Sequence, residues 1–376
     1  MDSVFTPVSH VGEFGLIDRL KAVLAGGQAN PDLLAGIGDD AAVYRIDEHT
    51  AHVITTDALI EGVHFDRSFM PWTHLGHKAI AVNVSDVAAM NAVPRYAVVS
   101  IGLPRNVSVE MVEALYAGMR DACERYGLQL VGGDTTAAPQ LVLSVTVVGE
   151  ADISRVAYRR GARPGDLICV TGDVGGAYAG LQVLLEQRRS IREMGESYTP
   201  DLEPYRYVIK RQLTPEPRTD VIADWAKRGV KPKALIDISD GVASEVHHLC
   251  RASGCGARIR GAALPIDPET RFVADEQMQD VDTFALFGGE DYELLFALDP
   301  ADEALLDPTT FNVIGVFTDV AEGVNLITPE GPIVPLHASG FVHFGGAESD
   351  GLDEPEPDES DDLDGSESGD LEGPEA

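Results

Sequence analysis

Basic residues are scarce in this chain: 28 Lys and Arg stand against 62 Asp and Glu, and the formal net charge is −34. Fourteen of the acidic residues lie between Glu348 and Glu375, where no Lys or Arg occurs, so the remainder of the chain still carries −20. A protein that binds nucleic acid needs a basic face toward the phosphate backbone. The shortage of positive charge therefore argues against nucleic acid as a partner.

Cysteines and long apolar runs are also rare. There are four cysteines, and the Cys250-x4-Cys255 spacing is a weak metal motif because no His-rich segment follows it. We expect buried thiols in a reducing compartment. No run of about 18 apolar residues and no charged-then-apolar N-terminal segment occurs. The sequence therefore predicts a cytoplasmic protein that does not enter a membrane.

The common nucleotide-binding motifs are absent. No G-x-x-x-x-G-K-[ST] segment occurs, and neither does the kinase set of strand Lys, H-R-D and D-F-G. The glycine-rich segment 172–176 matches a dinucleotide fingerprint only loosely. Close strand–helix packing or an anion at the helix N-terminus would each account for its glycines. A nucleotide enzyme with this sequence would have to hold its phosphates mainly through metal ions.

Strands and helices are predicted in both halves of the chain. Apolar residues recur at helical spacing between 75 and 92, and Ser108 and Gly127 are typical of the two ends of a helix. A strand is predicted over 52–56, ending at Asp57. Two further strands are predicted on either side of the GGDTT segment, which we interpret as a turn.

A polar stretch, 155–165, separates the two halves. We expect a fold of the α/β class (α+β type) with two mixed domains that face one another across a cleft. The predicted division is 1–150 for the first domain, 151–344 for the second and 345–376 for a disordered acidic tail.

Six short acidic motifs are the most informative feature of the sequence. They are Gly38-Asp39-Asp40, Thr55-Thr56-Asp57, Ser85-Asp86, Gly132-Gly133-Asp134-Thr135-Thr136, Asp237-Ile238-Ser239-Asp240-Gly241 and Gly288-Gly289-Glu290-Asp291. Any one of them could be an ordinary turn or helix cap. Six of them on an acidic chain are electrostatically costly unless cations neutralise them. Carboxylates bind Mg²⁺, and bound Mg²⁺ attracts phosphate, so the motifs predict an enzyme of phosphoryl transfer.

One of these acidic residues, Asp86, has no basic partner near it on its own helix. Asp86 lies within a predicted apolar helix that has no Lys or Arg three or four positions away, and a metal ion would supply the missing positive charge.

Four arginines, Arg155, Arg159, Arg160 and Arg163, gather between the two halves. They form either a solvated linker or a group that binds a nucleotide phosphate.

Ten segments in order, from about residue 12 to residue 344, resemble the thiamine-monophosphate kinase family, which belongs with aminoimidazole ribonucleotide synthetase. They include GIGDDAAV, TTDALIEGVHF, GHKAIAVNVSDVAAMNAVPRYA, GGDTT, RRGARPGD, IDISDGVASE and FGGEDYEL. The resemblance implies transfer of the γ-phosphate of ATP onto thiamine monophosphate. It also implies an N-terminal domain that dimerises through its sheet, so we expect a homodimer, and an ATP cleft between the two domains.

The resemblance also implies roles for individual residues. The Mg²⁺ ligands would be Asp40, Thr55, Thr56, Asp57, Asp86, Asp134, Asp237 and Asp240. The ATP contacts would be Tyr116, Gly133, Asp134, Arg159 and Ser239. The contacts to thiamine monophosphate would be His64, Glu290 and Phe341. Asp39 is not expected to be a ligand, and the role of Asp291 stays open.

This chemistry needs positioning and charge neutralisation more than a protein nucleophile. The attacking group is a phosphate oxygen that is already ionised, so we expect no catalytic base and no covalent intermediate. Several Mg²⁺ ions would bring the two phosphate groups together. Phe341 could stack on the substrate, and Glu290 could offset the thiazolium charge or accept a hydrogen bond.

Other readings of the same motifs are less favoured. A selenophosphate synthetase would carry a reactive Cys near the N-terminus, and a hydrogenase-maturation dehydratase would end in a Cys-bearing tail. Aminoimidazole ribonucleotide synthetase has a different sequence in place of TTDALIEGVHF. A non-catalytic binder of divalent cations would not need His64 or Arg159, and no EF-hand spacing is present.

Overall fold

The structure is a computed structural model that describes residues 5–25, 30–195 and 198–338. The described residues from Lys21 onward belong to one unit. The chain up to Leu20 belongs to a second unit, whose described part holds a short 3-10 helix, Val8–His10, and the start of helix α1 (Gly12–Leu24). The acidic tail predicted over 345–376 lies outside the described residues. Within the described ranges, no helix is long and apolar enough to cross a membrane.

The first sheet has six strands in the order β1-β2-β3-β6-β4-β5. They are β1 (Leu33–Ala35), β2 (Ala42–Arg45), β3 (Thr50–Ile60), β4 (Val93–Leu103), β5 (Gln129–Ala137) and β6 (Val142–Asp152). Neighbouring strands are antiparallel except for β4 and β5, which are parallel. Burial alternates along β3 and β6, because successive side chains of a strand point to opposite faces.

Two helices cover one face of the first sheet, α2 (Trp72–Ala89) and α3 (Val109–Tyr126). Helix α2 is buried around most of its circumference. Ser108 caps α3 by accepting a hydrogen bond from the Met111 N–H, and Gly127 closes the helix in the left-handed conformation, as the sequence predicts. The large apolar side chains between this sheet and α2 include Val53, Leu75 and Ile101.

The second sheet has seven strands in the order β13-β12-β9-β11-β7-β10-β8. They are β7 (Leu167–Thr171), β8 (Ala234–Asp237), β9 (Gly256–Arg260), β10 (Leu294–Leu298), β11 (Phe311–Thr318), β12 (Val324–Ile327) and β13 (Ile333–Pro335). Only the β9–β12 pairing is parallel among the described strands of this sheet. Every residue of β8 and β10 is buried, as expected for strands covered on both faces.

Six α-helices accompany the second sheet within the described part of the chain. They are α4 (Gly176–Met194), α5 (Arg206–Leu213), α6 (Thr219–Arg228), α7 (Val242–Ser253), α8 (Pro268–Glu276) and α9 (Val281–Phe287). Helix α2 of the first half packs against β8, α5 and α6 of the second half. The predicted class, a mixed α/β fold with two sheets and their helices, is confirmed.

Two local predictions are wrong. The GGDTT segment is not a turn: it lies within β5, an edge strand that pairs in parallel with β4. Strand β3 does not end at Asp57 but continues to Ile60 through an unbroken register with β6. In both places the backbone pairing of the sheet outweighs the local preference of glycine, threonine and aspartate for turns.

The contact between α2 and α3 depends on two glycines. A Cβ added to Gly76 would lie 2.0 Å from the Leu115 carbonyl oxygen, and one added to Gly118 would lie 1.9 Å from the Thr73 carbonyl oxygen.

We expect Gly76→Ala to lower the free energy of unfolding by about 1–3 kcal/mol, because the helices must separate. Urea unfolding measures this. Ala117→Ser, at a half-buried position of α3, is the control and should change stability by about 0.5 kcal/mol. Equal stability of Gly76→Ala and the unaltered protein would contradict the close packing.

Candidate active site

Three carboxylates from distant parts of the chain meet near the C-terminal end of α2. Asp40 precedes β2, Asp86 lies on α2 and Asp237 ends β8. One oxygen from each lies within 4.8 Å of the others. Asp40 and Asp237 are buried. We call these three residues the carboxylate cluster.

Asp57 lies beside the carboxylate cluster. It faces the same side of β3 as Thr55, and its backbone N–H donates to Asn83 Oδ1 at 3.0 Å. Burial raises the pKa of Asp57, and the charge of Asp40 raises it further. The sequence-predicted ligands Asp40, Asp57, Asp86 and Asp237 are thus brought together.

Hydroxyl groups orient two of these carboxylates. Thr55 Oγ1 donates to Asp86 Oδ2, and Ser85 Oγ donates to Asp237 Oδ2, both at 2.6 Å. Thr55 was predicted as a ligand, whereas the role of Ser85 was missed, although its place beside Asp86 in the motif could have suggested it. A hydroxyl donor orients a carboxylate but does not neutralise its charge. The negative charge of these two carboxylates therefore still has to be balanced by a cation.

Arg159 borders the carboxylate cluster. Its Nε and Nη2 donate to Asp40 Oδ1 at 3.1 and 2.5 Å, and its backbone N–H donates to Asp39 Oδ1 at 3.0 Å. The second oxygen of Asp40, Oδ2, is buried without a hydrogen-bond partner among the described residues. A buried carboxylate oxygen without a donor is costly. The cluster therefore fits a cation that this oxygen could bind.

The other predicted arginines have different contacts. Arg155 donates to the carbonyl oxygens of Ala226 and Val230, both at 3.3 Å. The exposed Arg160 guanidinium lies 4.5 Å from the centre of the Tyr158 ring. The exposed Arg160 matches the solvated-linker alternative, whereas Arg155 is held by backbone carbonyl oxygens of the second half, and Arg159 is the one of these three that borders the carboxylate cluster.

The crowding of negative charge shifts the acidity of the cluster. Burial is the largest cause and raises the pKa of Asp237 to about 7, with a further contribution from the charge of Asp40. Burial also raises the pKa of Asp86 well above its usual value, and the charges of Asp57, Asp237 and Asp40 act in the same direction. Such strongly shifted groups are typical of functional sites.

The loop after β8 is shaped by Glu245, a residue that the sequence analysis missed. Glu245 Oε1 accepts hydrogen bonds from the backbone N–H groups of Ser239 and Asp240 at 3.1 and 2.9 Å. Its position on the first turn of α7 suits such a cap, so the IDISDGVASE motif contains the signal. The Ser239 carbonyl oxygen in turn accepts a hydrogen bond from the Glu290 N–H at 2.8 Å.

Glu290 has two partners that the sequence analysis also missed. Lys78 Nζ lies 2.7 Å from Glu290 Oε1, and Gln212 Nε2 donates to Glu290 Oε2 at 2.7 Å. Lys78 is fully buried on α2. Its presence in an apolar helix was the signal, because a buried lysine needs an acceptor.

His64 lies in the loop after β3. Its Nδ1 accepts a hydrogen bond from the Ile60 N–H at 3.0 Å, which leaves the proton of a neutral ring on Nε2. His64 and Tyr116 are both half-buried, the latter on α3. Phe341 lies outside the described residues.

Three predicted residues, Thr56, Gly133 and Asp134, are not brought to the carboxylate cluster. Thr56 points to the exposed face of the first sheet, away from Thr55 and Asp57, and its hydroxyl donates to the Val145 carbonyl oxygen. Asp134 is exposed on the same face, in register with Ser100 of β4. Strands β6 and β4 separate β3 from β5, a distance of about 14 Å across the sheet.

The Asp291 carboxylate binds the backbone of the glycine-rich segment 172–176. Asp291 accepts hydrogen bonds from the N–H groups of Gly175 and Ala177 at 2.6 and 3.2 Å, at the start of α4. The anion at this helix N-terminus is therefore a carboxylate of the chain itself. Close packing also applies, since a Cβ on Gly172 would lie 2.3 Å from Glu293 Oε1.

The chain matches two family models of AIR synthase related proteins, the N-terminal domain over residues 38–151 and the C-terminal domain over residues 163–325. The thiamine-monophosphate kinase of Aquifex aeolicus is 38% identical over 290 residues, which are 77% of this chain and 86% of that protein. The thiamine-monophosphate kinase of Escherichia coli (strain K12) is 37% identical over 340 residues, which are 89% of this chain and 98% of that protein.

A solved structure, AaThiL complexed with AMPPCP and TMP, is 35% identical with a TM-score of 0.77 and covers 91% of this chain and 100% of that chain. The resemblance inferred from the sequence motifs is thereby confirmed. The chain belongs to the thiamine-monophosphate kinase family of AIR synthase related proteins.

Proposed function

We infer that this protein transfers the γ-phosphate of ATP onto the phosphate of thiamine monophosphate and so forms thiamine diphosphate. The observation that carries this inference is the buried carboxylate cluster with its unpartnered Asp40 oxygen, in a chain whose relatives are named thiamine-monophosphate kinases. Both substrates are anions, and an acidic site can accept them only with bound cations.

The carboxylate cluster and Asp57 would hold Mg²⁺. Their oxygens are the hard donors that this ion prefers, and we propose Thr55 and Asp240 as further ligands. Bound Mg²⁺ would neutralise the two phosphate groups and align them for in-line transfer. The chain's own task is to hold these carboxylates in place, which Ser85 and Thr55 do through their hydroxyl groups.

Arg159 would bind a phosphate of ATP from its place beside the carboxylate cluster. A guanidinium presents forked donors that suit phosphate as well as carboxylate. Its backbone is anchored, since Ser253 Oγ accepts hydrogen bonds from the following Gly161 and Ala162 N–H groups at 3.1 Å each. Ser239 and Tyr116 are proposed as the other ATP contacts of the same chain.

No side chain is needed to remove a proton in this reaction, because the attacking phosphate oxygen is already ionised at neutral pH. Thiamine monophosphate would therefore require only orientation. We propose His64, Glu290 and Phe341 as its contacts.

We also propose that the protein is a homodimer that pairs through the exposed face of its first sheet. Large side chains on that face are exposed, among them Ile54 by 37%, Tyr96 by 51% and Val98 by 42%. A second copy would cover them. Because Asp134 lies on this face and about 14 Å across the sheet from β3, we propose that the partner subunit's Asp134 and the partner subunit's Gly133 complete each site.

A first test concerns pH and metal. A carboxyl group with a raised folded-state pKa binds its proton more tightly in the folded protein than in the unfolded chain. Its contribution to stability is therefore complete below about pH 3.8, the ordinary pKa of an Asp carboxyl group, and is lost as the pH rises through about 7 for Asp237. Without divalent cations, Asp237→Asn should raise the free energy of unfolding at about pH 8 by on the order of 2 kcal/mol.

The gain from Asp237→Asn should shrink toward about pH 4, where the Asp237 carboxyl group of the unaltered protein is protonated in the folded state. Urea unfolding in a chelator measures both values, and added Mg²⁺ should stabilise the unaltered protein more than the variant. Asp166→Asn is a matched control, since Asp166 is paired with Lys233 and should lose stability. Lower stability of Asp237→Asn at pH 8 without metal would count against a repulsive cluster.

A second test is the reaction itself. Purified protein with ATP, Mg²⁺ and thiamine monophosphate should form thiamine diphosphate and ADP. Asp57→Asn should lower kcat by a factor of about 10² or more, since removing one preorganised electrostatic group has effects of this size. Near-normal turnover of this variant at low Mg²⁺ would refute the role of Asp57. Absence of product from the unaltered protein would leave it a cation binder and refute the proposed activity.

A third test separates contributions of the two subunits. Asp57→Asn and Asp134→Asn should each be inactive alone. After the two variants are mixed and allowed to exchange subunits, half the dimers would carry one intact site, so about a quarter of the unaltered activity should return. If Asp134 served its own chain, every site would lack one carboxylate and mixing would restore nothing.

A further inference from the structure

Lys78 is a fully buried charged residue near the site, with 0% of its surface exposed. Its Nζ lies 2.7 Å from Glu290 Oε1 and donates to the Gln212 carbonyl oxygen at 3.4 Å. A buried ammonium group requires acceptors of this kind. Lys78 therefore connects α2 of the first half with α5 and with the Glu290 loop of the second half.

Glu290 is fixed from several directions. Lys78 holds Oε1, Gln212 Nε2 holds Oε2 at 2.7 Å, and its N–H donates to the Ser239 carbonyl oxygen. Its φ of 66° is in the left-handed region, which is unfavourable for a residue with a Cβ. Strain of this kind persists where the surroundings hold it, and it clusters at ligand sites. The Glu290 side chain is nevertheless 26% exposed, so a ligand can reach it.

Pairing with Lys78 changes what Glu290 can offer to a ligand. The ion pair has no net charge, so Glu290 is a weak counter-charge for a cationic ring. A carboxylate has about four lone-pair directions, and the two known partners leave others available. The immobilised carboxylate is therefore suited to accept a hydrogen bond from an N–H group of a ligand.

We propose that Lys78 and Gln212 are positioning residues that set the specificity of the phosphate acceptor by holding Glu290 as a hydrogen-bond acceptor for the amino group of its pyrimidine ring. This proposal rests on the proposed function. Lys78 does not touch the substrate and acts through Glu290.

The placement of Lys78 along α2 agrees with this role. Asp86 lies eight positions after Lys78, which corresponds to about 12 Å along the helix axis. The acceptor's phosphate belongs at the carboxylate cluster around Asp86, and its ring end belongs at Glu290. One rigid helix therefore sets the spacing between the two ends of the acceptor site.

The test compares steady-state kinetics of the unaltered protein with Lys78→Met and Gln212→Leu, which keep side-chain size and remove the contact to Glu290. We expect each to raise KM for thiamine monophosphate, about 10-fold or more for Lys78→Met, with KM for ATP changed less than twofold. Lys78→Arg, which keeps the charge, should lie closer to the unaltered protein. Lys233→Met is the control: Lys233 is paired with Asp166 and Asp299, and its loss should leave both KM values unchanged.

A second measurement separates hydrogen bonding from charge. In an analogue of thiamine monophosphate, the pyrimidine amino group is replaced by a carbonyl oxygen while the thiazolium charge is kept. The unaltered protein should prefer thiamine monophosphate in kcat/KM by at least 10-fold, and Lys78→Met and Gln212→Leu should reduce this preference. Equal use of the two acceptors by the unaltered protein would overturn the proposal.

The outcomes are distinguishable from failure of the proposed function. If the unaltered protein makes no thiamine diphosphate, the proposed function and this proposal both fall. If it does, and Gln212→Leu and Lys78→Met keep normal acceptor KM, only the proposal falls. Should Lys78→Met not fold, Gln212→Leu and Lys78→Arg decide the matter, because a purely structural role would lower the melting temperature without a selective change in acceptor KM.

Discussion

The burial of α2 on nearly all sides is the constraint on which the site depends. An interior helix can carry polar side chains only if each finds a partner. Asn83 accepts a hydrogen bond from β3, Ser85 donates to the end of β8, Asp86 accepts from Thr55, and Lys78 pairs with the Glu290 loop. These contacts involve residues of both halves of the chain. The interactions that give the polar side chains of α2 their partners therefore also join the two halves. They hold the acidic loops around the helix.

The negative charges near α2 are handled in two different ways. Glu290 has a basic partner, Lys78, and forms a pair that needs no external cation to balance it, whereas Arg159 binds only Oδ1 of Asp40 and leaves Oδ2 available to a cation. Asp86 and Asp237 have hydroxyl donors, which orient a carboxylate without neutralising it. Pairing with a basic side chain fixes a carboxylate and neutralises it. Hydrogen bonding to a hydroxyl group leaves the negative charge available to attract a metal ion. The difference in partners, more than the number of acidic residues, separates a structural carboxylate from a metal-binding one.

Much of the fold and part of the site could be predicted from local sequence. The helical spacing over 75–92 corresponds to α2, Trp72–Ala89, and Ser108 and Gly127 do bound α3, because capping depends on neighbouring residues. GGDTT was wrongly predicted as a turn, because its pairing with β4 is a long-range interaction. For the same reason the sequence could not show that Lys78 pairs with Glu290, or that Asp291 caps α4.

By itself, the sequence determined the chemical character of this protein: its family, its mixed α/β class, its excess of carboxylates and the motifs that contain them. Those properties follow from residue types and short spacings. Only the tertiary structure decided which of the acidic motifs converge. Asp40, Asp86 and Asp237 meet because strand pairing and the packing of α2 bring distant segments together, while Thr56 and Asp134 lie on the opposite face of the sheet. A strand's two-residue alternation fixes which residues share a face, but only packing decides what each face meets.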